Sequence, residues 1–427
     1  MVQAGFAQGE ITPEPGISIA GYFHDRKATG VKDPLWVRAL ALGDGERRAL
    51  VLAFDLIGLG PAQAAAIRRE VAAGQGLPEA AIHLACSHTH TGPCTLGLLG
   101  IEPAPGYLRR MVAQAVATAG EALGALAPHR AAVGVGTCPG IAFNRRFVMR
   151  EGPVRTNPGL GNPDIVRPAG PVDEQVVALL LEGEQRDLVL ANFALHLDTV
   201  GGTEASADYP YFAGLTLAAG WPRPVEMVFV NGAFGDINHL DVTAPRPAAT
   251  AAIGEALGRA LLETLGRRRE LGAALGCAAR EIALPRRRLS AEQVAWAERT
   301  AREAPAGSSE MEHVYAREQL LLAALPPTVE TRVSALRLGE GLRYVFLPGE
   351  CFVELGLAVK AALGPGTVAV ANANGYIGYV ATEQAYAEGG YEVRPARSSQ
   401  MAPGAGEQLV KEAVAVARGD GDRHHFS

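Results

Sequence analysis

The sequence predicts an α/β protein with a mixed central sheet flanked by helices. Three observations lead to this class. Apolar runs rich in Val, Leu and Ala recur along the chain, helical segments separate several of them, and polar side chains follow the runs where they end. Short apolar runs between turn signals are typical of strands buried on both faces. Their alternation with helices is typical of an α/β layer structure.

The clearest unit is a β–α–β segment near the N-terminus. Residues 47–60 (RRALVLAFDLIGLG) predict a buried strand that ends at Asp55 and a glycine-rich turn. Residues 61–76 predict a helix, because Pro stands at its start and Gly at its end. Residues 80–90 (AAIHLACSHTH) predict the next strand. Ligands of α/β folds gather at the carboxyl ends of strands, so a site is expected there.

The rest of the chain continues this pattern as a single predicted domain, residues 1–427. A pair of helices interrupts the strands, and we expect it to be a helical insertion over residues 286–326 near the site. Further strands are predicted at 131–137, 188–195, 225–233, 331–339, 342–348 and 367–375, and further helices at 249–265, 290–304, 310–325 and 406–419.

Composition excludes several classes of function. Hydrophobic residues make up 48% of the chain and the net charge is −6, so nothing favours nucleic acid as a partner. The first residues have no basic or apolar stretch of a secretory signal, and no run of 18 apolar residues occurs, so we expect no membrane insertion. The five cysteines are scattered without a CxxC pair, which predicts reduced thiols and a cytoplasmic location.

The segment HLACSHTHTGP carries three of the ten histidines, His83, His88 and His90. Residues i and i+2 of a strand share a face, so in the predicted strand we expect His88 and His90 to project from one face, about 7 Å apart. Both imidazoles could then hold one metal ion, or one could bind while the other acts beside it. The structural alternative is a pair of hydrogen-bonded core histidines.

Other predicted strands also end in polar or metal-binding residue types, which strengthens the case for a site. Each residue alone is more often structural, but their repeated position after apolar runs is typical of an α/β active site. These residues are His196, Asp198 and Asp208; Asn231, Asp236, Asn238 and His239; Glu350; and Tyr376, Tyr379, Tyr386 and Tyr391.

Seven segments stand in order along the chain: AQGEITPEPGISIAGYF, SHTHTGP, FNRRF, LHLDTVGG…SADYP, NGAFGDINHL, LPGE and YVATEQAYAEGGYE. Each resembles a motif of the neutral/alkaline, non-lysosomal ceramidases. The corresponding family motifs are DIT…GY, THTHSGP, NRS, VHPT…SaDyPG, GDVSPN, PGE and YVTT…Y…YEG. The order of the seven segments makes the resemblance specific to the catalytic domain of that family.

The resemblance implies a zinc-dependent amide hydrolase with one Zn²⁺ per chain. The positions that match the family's metal ligands are His88, His196, Glu350 and Tyr379. By the same match, His90 would take a proton from the attacking water and pass it to the leaving amine. Arg145 and Tyr391 match the residues that face the substrate carbonyl oxygen.

Two departures from the family bear on the substrate. Asn238 stands where the family has the Ser of GDVSPN, so Asn238 and the nearby Asp236 are candidates for substrate contact. Ceramidases also carry a C-terminal immunoglobulin-like domain and usually a signal peptide. We expect both to be absent here, which favours a small, soluble amide over a membrane lipid.

Alternatives of several kinds stay open at this point. The same site could act on an ester or lactone, the protein could be a true ceramidase, or it could bind metal without hydrolase activity. The sequence does not specify the acyl group, the amine or alcohol, or the oligomeric state.

Overall fold

The computed structural model describes residues 1–305 and 307–419. Two large β-sheets lie face to face within it. Their strands, in chain order, are β1 Val2–Glu10, β2 Trp36–Gly43, β3 Arg48–Phe54, β4 Ile82–Cys86, β5 Ala127–Thr137, β6 Gln175–Glu182, β7 Asp187–Phe193, β8 Val225–Asn231, β9 Arg269–Glu270, β10 Leu275–Pro285, β11 Thr328–Leu338, β12 Arg343–Phe346 and β13 Thr367–Val370.

Both sheets are mixed. The first runs in the order β8-β7-β6-β5-β1-β2-β3-β4, with β9 paired to β5, and the second runs β10-β11-β12-β13. The pairs β3/β4, β7/β8 and β12/β13 are parallel, whereas the other neighbouring pairs are antiparallel. Shorter paired strands lie outside the large sheets: Ser18–Ile19 with Arg26–Lys27, Gly30–Val31 with Glu204–Ala205, Phe143–Asn144 with Ile237–Asn238, Arg146–Met149 with Arg155–Thr156 and Ile165–Pro168, and Glu350–Cys351 with Tyr379–Val380.

Helices cover the outer faces of the two sheets, so the layers run helix, sheet, sheet, helix. On the first sheet, α1 and α2 cover one half and α3 and α4 the other, while α7 and α9 cover the second sheet. The helices are α1 Pro61–Gln75, α2 Pro105–Gly124, α3 Tyr209–Gly220, α4 Thr250–Gly266, α5 Ala291–Glu303, α6 Met311–Ala323, α7 Val353–Leu363, α8 Glu383–Glu388 and α9 Ala405–Arg418. Each fully buried aliphatic side chain in these layers contributes about 1.5–3 kcal/mol.

The predicted α/β class with a mixed sheet and flanking helices is confirmed. The β–α–β unit is present as β3, α1 and β4, with β3 and β4 parallel. Helix α1 begins at Pro61 and ends at Gln75. The following Gly76 caps it, with a φ of 62° and an N–H that donates to the Ala72 carbonyl. The strands form two stacked sheets instead of the single central sheet that the sequence predicts. Strands of both sheets contribute apolar side chains to the core between them, so their sequences do not show to which sheet each strand belongs.

The predicted helix pair lies in the connection between the antiparallel neighbours β10 and β11. Ser290 caps α5 with a capping box, accepting from the Gln293 backbone N–H. Residue 306 of the predicted insertion and residues 420–427 of the predicted domain lie outside the described residues. Among the helices of the described residues, none is both long and apolar enough to span a bilayer.

Residues 371–374, which follow β13, connect the two edge strands of the first sheet. The Ala371 N–H donates to the Asn231 carbonyl at the end of β8 (3.0 Å), and the Asn374 N–H donates to the Leu84 carbonyl in β4 (2.9 Å). The second sheet is thereby hydrogen-bonded to both edges of the first. This arrangement gathers the carboxyl ends of β4, β7, β8, β12 and β13 in one region.

Candidate functional site

The predicted site residues come from the ends of four strands. His88 and His90 follow β4, His196 follows β7, Glu350 follows β12 and Tyr379 follows β13. Each of these strands runs parallel to a neighbour, and parallel strands present their carboxyl ends at the same edge of a sheet. The residues therefore meet although they lie as far apart in sequence as residues 88 and 379.

The two histidines of the His-x-His pair do not lie in a strand, contrary to the expectation from alternation. Strand β4 ends at Cys86, and His88 has a φ of 77°, in the left-handed region that non-glycine residues seldom adopt. Its N–H donates to the Leu56 carbonyl at 2.9 Å, which holds this turn. The reversal of the chain at His88, instead of an extended strand, brings His88 and His90 into one cluster.

Three buried imidazoles and one carboxylate form the centre of the site. Nitrogen atoms of His88, His90 and His196 lie within 4.8 Å of one another. Nε2 of His90 is 3.1 Å from Nε2 of His196, and Nε2 of His88 is 3.2 Å from Oε2 of Glu350. Ligand atoms of a tetrahedral zinc ion lie roughly 3.3–3.6 Å apart, so these spacings suit a metal-binding group.

The hydrogen bonds around the cluster also fit a cation. Nδ1 of His88 donates to the Ile57 carbonyl at 2.6 Å, because a carbonyl oxygen can only accept. In the neutral ring, Nε2 then points a lone pair at Glu350. Among the described residues, Oε2 of Glu350 and Nδ1 of His90 are buried without a hydrogen-bond partner. Either a proton on Nε2 of His88 or a bound cation would satisfy this carboxylate oxygen, so the contact is compatible with a metal ion.

Electrostatics keep the cluster in the protonation states that bind metal. Burial lowers the pKa of His90 to about 4, and burial together with Arg145 lowers the pKa of His196 well below its ordinary value. Burial alone would raise the pKa of Glu350, but its contacts with His88 and Tyr376 bring that pKa below the ordinary range. At neutral pH the site therefore offers neutral nitrogens at His90 and His196 and an ionised carboxylate.

A guanidinium and two phenols adjoin the cluster. Arg145, in the loop after β5, donates from Nη2 to the Tyr379 hydroxyl at 3.0 Å, and the hydroxyls of Tyr379 and Tyr391 are 2.7 Å apart. Burial opposes the charge of Arg145, but Tyr379 and Glu392 hold its pKa well above the ordinary value. The structure thus places Arg145 and Tyr391 together beside Tyr379, while the ligand role of Tyr379 stays a prediction.

The sequence predicted Tyr376 only as a candidate that follows a strand, without a role, and did not predict Glu392. The Tyr376 hydroxyl donates to Oε1 of Glu350 at 2.6 Å, so it orients the carboxylate whose other oxygen faces His88. The buried Glu392 accepts from Nε of Arg145 at 2.9 Å and from the Thr156 hydroxyl at 2.6 Å. Tyr376 stands three residues before Tyr379 and Glu392 directly after Tyr391, so adjacency to predicted residues was the available signal.

Asp236 and Asn238 lie close by, and their polar atoms are bonded within the protein. Asp236 accepts from the Val353 N–H and the Asn144 amide, at 2.8 and 2.7 Å, and burial together with Glu354 raises its pKa to about 7. Asn238 donates to the Asn157 side chain and accepts from the Leu240 N–H. These contacts support the loops around Arg145, and substrate contact by either residue stays a prediction.

Other candidates from the strand ends have structural contacts. His83 is fully buried in β4, stacks on Phe346 at 4.5 Å and pairs with the Ser334 hydroxyl, so it is a core histidine. Asp55 accepts from Arg38 and from the Trp36 backbone. Asp208, at the start of α3, accepts from the backbone of residues 199, 200 and 209 and so fixes the loop after His196.

A cavity of about 70 Å³ opens beside the cluster. Its polar wall contains His88, His90, Glu350, Tyr376, Tyr379 and Tyr391. The rest of the wall is largely apolar and includes Phe23, Leu96, Leu98, Leu99, Ile101 and Tyr315. Because the phenol rings of Tyr376, Tyr379 and Tyr391 face the same space as the cluster, a molecule held there would lie against both the metal-binding group and these hydroxyl groups.

Comparisons with known proteins point to one fold. No protein-family model matches the sequence, and no curated protein matches it. Among solved structures, "Ceramidase complexed with C2" matches with a TM-score of 0.77 and 19% identity, covering 100% of this chain and 76% of that one. The neutral ceramidase from Pseudomonas aeruginosa matches with a TM-score of 0.75 and 19% identity, covering 98% and 74%. This chain therefore has the fold of the neutral ceramidases.

Proposed function

We propose that the protein is a zinc-dependent hydrolase that cleaves the amide bond of a small, soluble substrate. The observation that carries the proposal is the buried group of His88, His90, His196 and Glu350 beside the donors of Arg145 and Tyr391. The similarity of the protein's fold to that of proteins named ceramidases supports amide hydrolysis. The cavity of about 70 Å³ supports a small substrate, since pockets for drug-sized ligands usually hold 300–1,000 Å³.

The proposed ligands are His88, His196, Glu350 and Tyr379, and the count is one ion per chain. This set of nitrogen and oxygen donors is of the kind that zinc binds in catalytic sites. When bound, zinc would lower the pKa of a water toward 7 and polarise the substrate carbonyl. Tyr376 holds Glu350, and the Ile57 carbonyl holds His88, so both would be oriented before a metal binds.

His90 is the proposed proton carrier. Because its pKa is low, the His90 ring is neutral at pH 7 and can accept a proton. Its Nε2 would take a proton from water as the water oxygen bonds to the carbonyl carbon. The C–N bond then breaks and His90 returns that proton to the leaving nitrogen, which gives a carboxylic acid and an amine. Arg145 and Tyr391 would donate hydrogen bonds to the carbonyl oxygen as it gains negative charge, each worth on the order of 3 kcal/mol.

The thiols and the net charge support the location and the partners that we propose for the enzyme. All five cysteines are free, four of them buried, which supports a reducing compartment such as the cytoplasm. The partner we propose is a small-molecule amide and neither a nucleic acid nor a membrane.

The test is turnover by the purified protein before and after removal of metal. A panel of short N-acyl amines, matched esters and lactones is supplied to the protein as isolated, after chelation, and after zinc is restored. We expect amide cleavage that is lost on chelation and returns with zinc. Amide cleavage that persists after complete removal of metal would contradict the proposal. Cleavage of the esters without any cleavage of the amides would also contradict it.

A further inference from the structure

One helix of the pair that interrupts the strand pattern, α6, contributes to the apolar wall of the cavity. Tyr315 of α6 is buried, lines the cavity and packs on Phe23 with ring centroids 5.6 Å apart. The loop that follows the His-x-His segment supplies Leu96, Leu98, Leu99 and Ile101 to the same wall. The wall thus combines a helix from the second sheet's connection with a loop from the first sheet.

Ionic contacts fix this wall in place. The buried carboxylate of Glu318, on α6, accepts from the Leu99 N–H at 2.8 Å and from both Nε and Nη2 of Arg397, at 2.9 and 2.7 Å. Such a bidentate pair holds both partners in a defined geometry. Arg394 lies 3.7 Å above the Tyr315 ring and pairs with Glu312 through two hydrogen bonds. The Tyr315 ring is therefore held by contacts with both Phe23 and Arg394.

The open, acidic part of the site lies beside His90. Asp198 is about one-third exposed, its Oδ1 lies 3.8 Å from Nδ1 of His90, and it accepts from the Tyr22 hydroxyl at 2.6 Å. The leaving nitrogen must lie next to His90 to receive its proton, and the amine product is cationic. The amine half of the substrate therefore fits the side of Asp198, and the acyl half fits the apolar wall.

We propose that the cavity accepts a short, uncharged acyl group and that Tyr315, packed on Phe23, sets the longest acyl chain that fits. This inference rests on the proposed function and names the acyl class of that same site. Among the described residues that line the cavity none is Lys or Arg, so burial of a charged acyl group against Leu96, Leu98, Leu99 and Ile101 would be unfavourable. A long chain would have to displace the Tyr315 ring from its contacts with Arg394 and Phe23.

The experiment compares acyl chains of two, four, eight, twelve and sixteen carbons on one constant amine. We expect kcat/KM of the wild type to fall by at least about tenfold beyond the longest chain that fits, because one methylene too many in an apolar pocket has an effect of that size. Tyr315→Ala should move this limit to longer chains, and Tyr315→Phe, which keeps the ring, should not. Leu321→Ala, on the exposed side of the same helix, is the control.

Phe23→Ala is the second variant, because Phe23 is partly exposed and its loss is tolerated more easily by the fold. Equal kcat/KM for short and sixteen-carbon chains in the wild type would overturn the inference. An unchanged limit on acyl chain length in both Tyr315→Ala and Phe23→Ala would also overturn it. Circular dichroism checks that both variants are folded.

Binding of product acids separates this inference from the proposed function. Butanoate and dodecanoate are titrated calorimetrically into the purified wild type and Tyr315→Ala. We expect the wild type to bind butanoate more tightly, and Tyr315→Ala to gain affinity for dodecanoate by about tenfold or more. Selective binding without hydrolysis of any amide would support the acyl pocket and overturn the function. Equal affinity for both acids in both proteins would overturn the pocket, whatever is hydrolysed.

Discussion

The three clustered imidazoles differ in how the protein holds them. His88 is locked by a left-handed backbone and by the Ile57 carbonyl on Nδ1, which leaves only Nε2 for a metal. His90 has an unpartnered Nδ1 near the partly exposed Asp198 and an Nε2 that faces His196. A fixed ring suits a ligand, and a ring whose Nδ1 lies 3.8 Å from the Asp198 carboxylate suits a proton carrier, because the carboxylate would stabilise the imidazolium formed when Nε2 takes up a proton. This difference is the structural basis for assigning the two histidines separate roles.

Replacement of His90 by Ala should therefore reduce rate without loss of metal. We expect turnover to fall by roughly 10²-fold or more while zinc content stays the same. Elemental analysis and kcat measured on the same preparation check this. Simultaneous loss of zinc and activity would instead make His90 a ligand, as its distance of 3.1 Å to His196 also allows.

The ion pair between Arg145 and Glu392 should contribute strongly to stability. Both side chains are at least 94% buried, so Glu392→Gln leaves a buried guanidinium without its counter-charge. We expect a loss of about 3–5 kcal/mol in the free energy of unfolding, measured by urea denaturation. The matched control is Glu255→Gln, which breaks the exposed pair with Arg259 and should change stability by less than about 0.5 kcal/mol. Equal effects of the two changes would contradict this account.

At the scale of elements, the site depends on residues 371–374, which join the two sheets. Asn372 has a φ of 52°, its N–H donates to the Gly349 carbonyl, and its carbonyl accepts from the Cys86 N–H. Its side-chain amide donates to the Ile57 carbonyl, which also accepts the hydrogen bond from Nδ1 of His88. One residue of the connection thus contacts the segments that carry His88 and Glu350.

Asn372→Ala and Asn372→Gly should separate backbone strain from side-chain bonding. Both remove the bond to Ile57, but only Ala is strained by a positive φ, so we expect Ala to be less stable than Gly by about 1–2 kcal/mol. Thermal and urea unfolding of the pair measure this difference. If Ala were as stable as Gly, residue 372 would not hold the left-handed conformation.

Elements with clear end signals could be predicted from the sequence, and contacts between them could not. Pro61 and Gly76 delimit α1, and the capping box at Ser290 marks α5, because these signals are local. The predicted strand over residues 80–90 is longer than β4, since the turn at His88 is held by the carbonyls of residues 56 and 57, in the loop that follows β3. Tyr376 was missed as the partner of Glu350 because that contact spans 26 residues and has no local signature.

At the scale of the whole molecule, the two stacked sheets turn a linear series of motifs into one site. The predicted metal and catalytic residues lie within one region because β4, β7, β12 and β13 end there. Asp236 and Asn238 were predicted as substrate contacts because they follow β8 and lie in the segment that resembles GDVSPN. Their side chains bond to neighbouring loops. The order of the motifs in the sequence therefore indicated which strand ends form the site. The direction of each side chain could be seen only in the structure.

The small cavity predicts poor turnover of long-chain ceramide. Such a lipid would need an extended apolar groove, and the space beside the cluster is about 70 Å³. We expect N-hexadecanoylsphingosine to be cleaved much more slowly than short N-acyl amines under the same conditions in detergent. A clear preference for the ceramide would contradict the proposed substrate and leave the metal assignment intact.

Zinc content measured by elemental analysis tests the central claim most directly. The account predicts about one zinc per protomer in the wild type and loss of zinc in both His88→Ala and Glu350→Ala, because each change removes a ligand of a four-coordinate site. His313→Ala, at a histidine of α6 that pairs with Ser308, should keep its zinc. A wild type that holds no zinc after purification and zinc supplementation, or zinc unchanged in both ligand variants, would contradict the account.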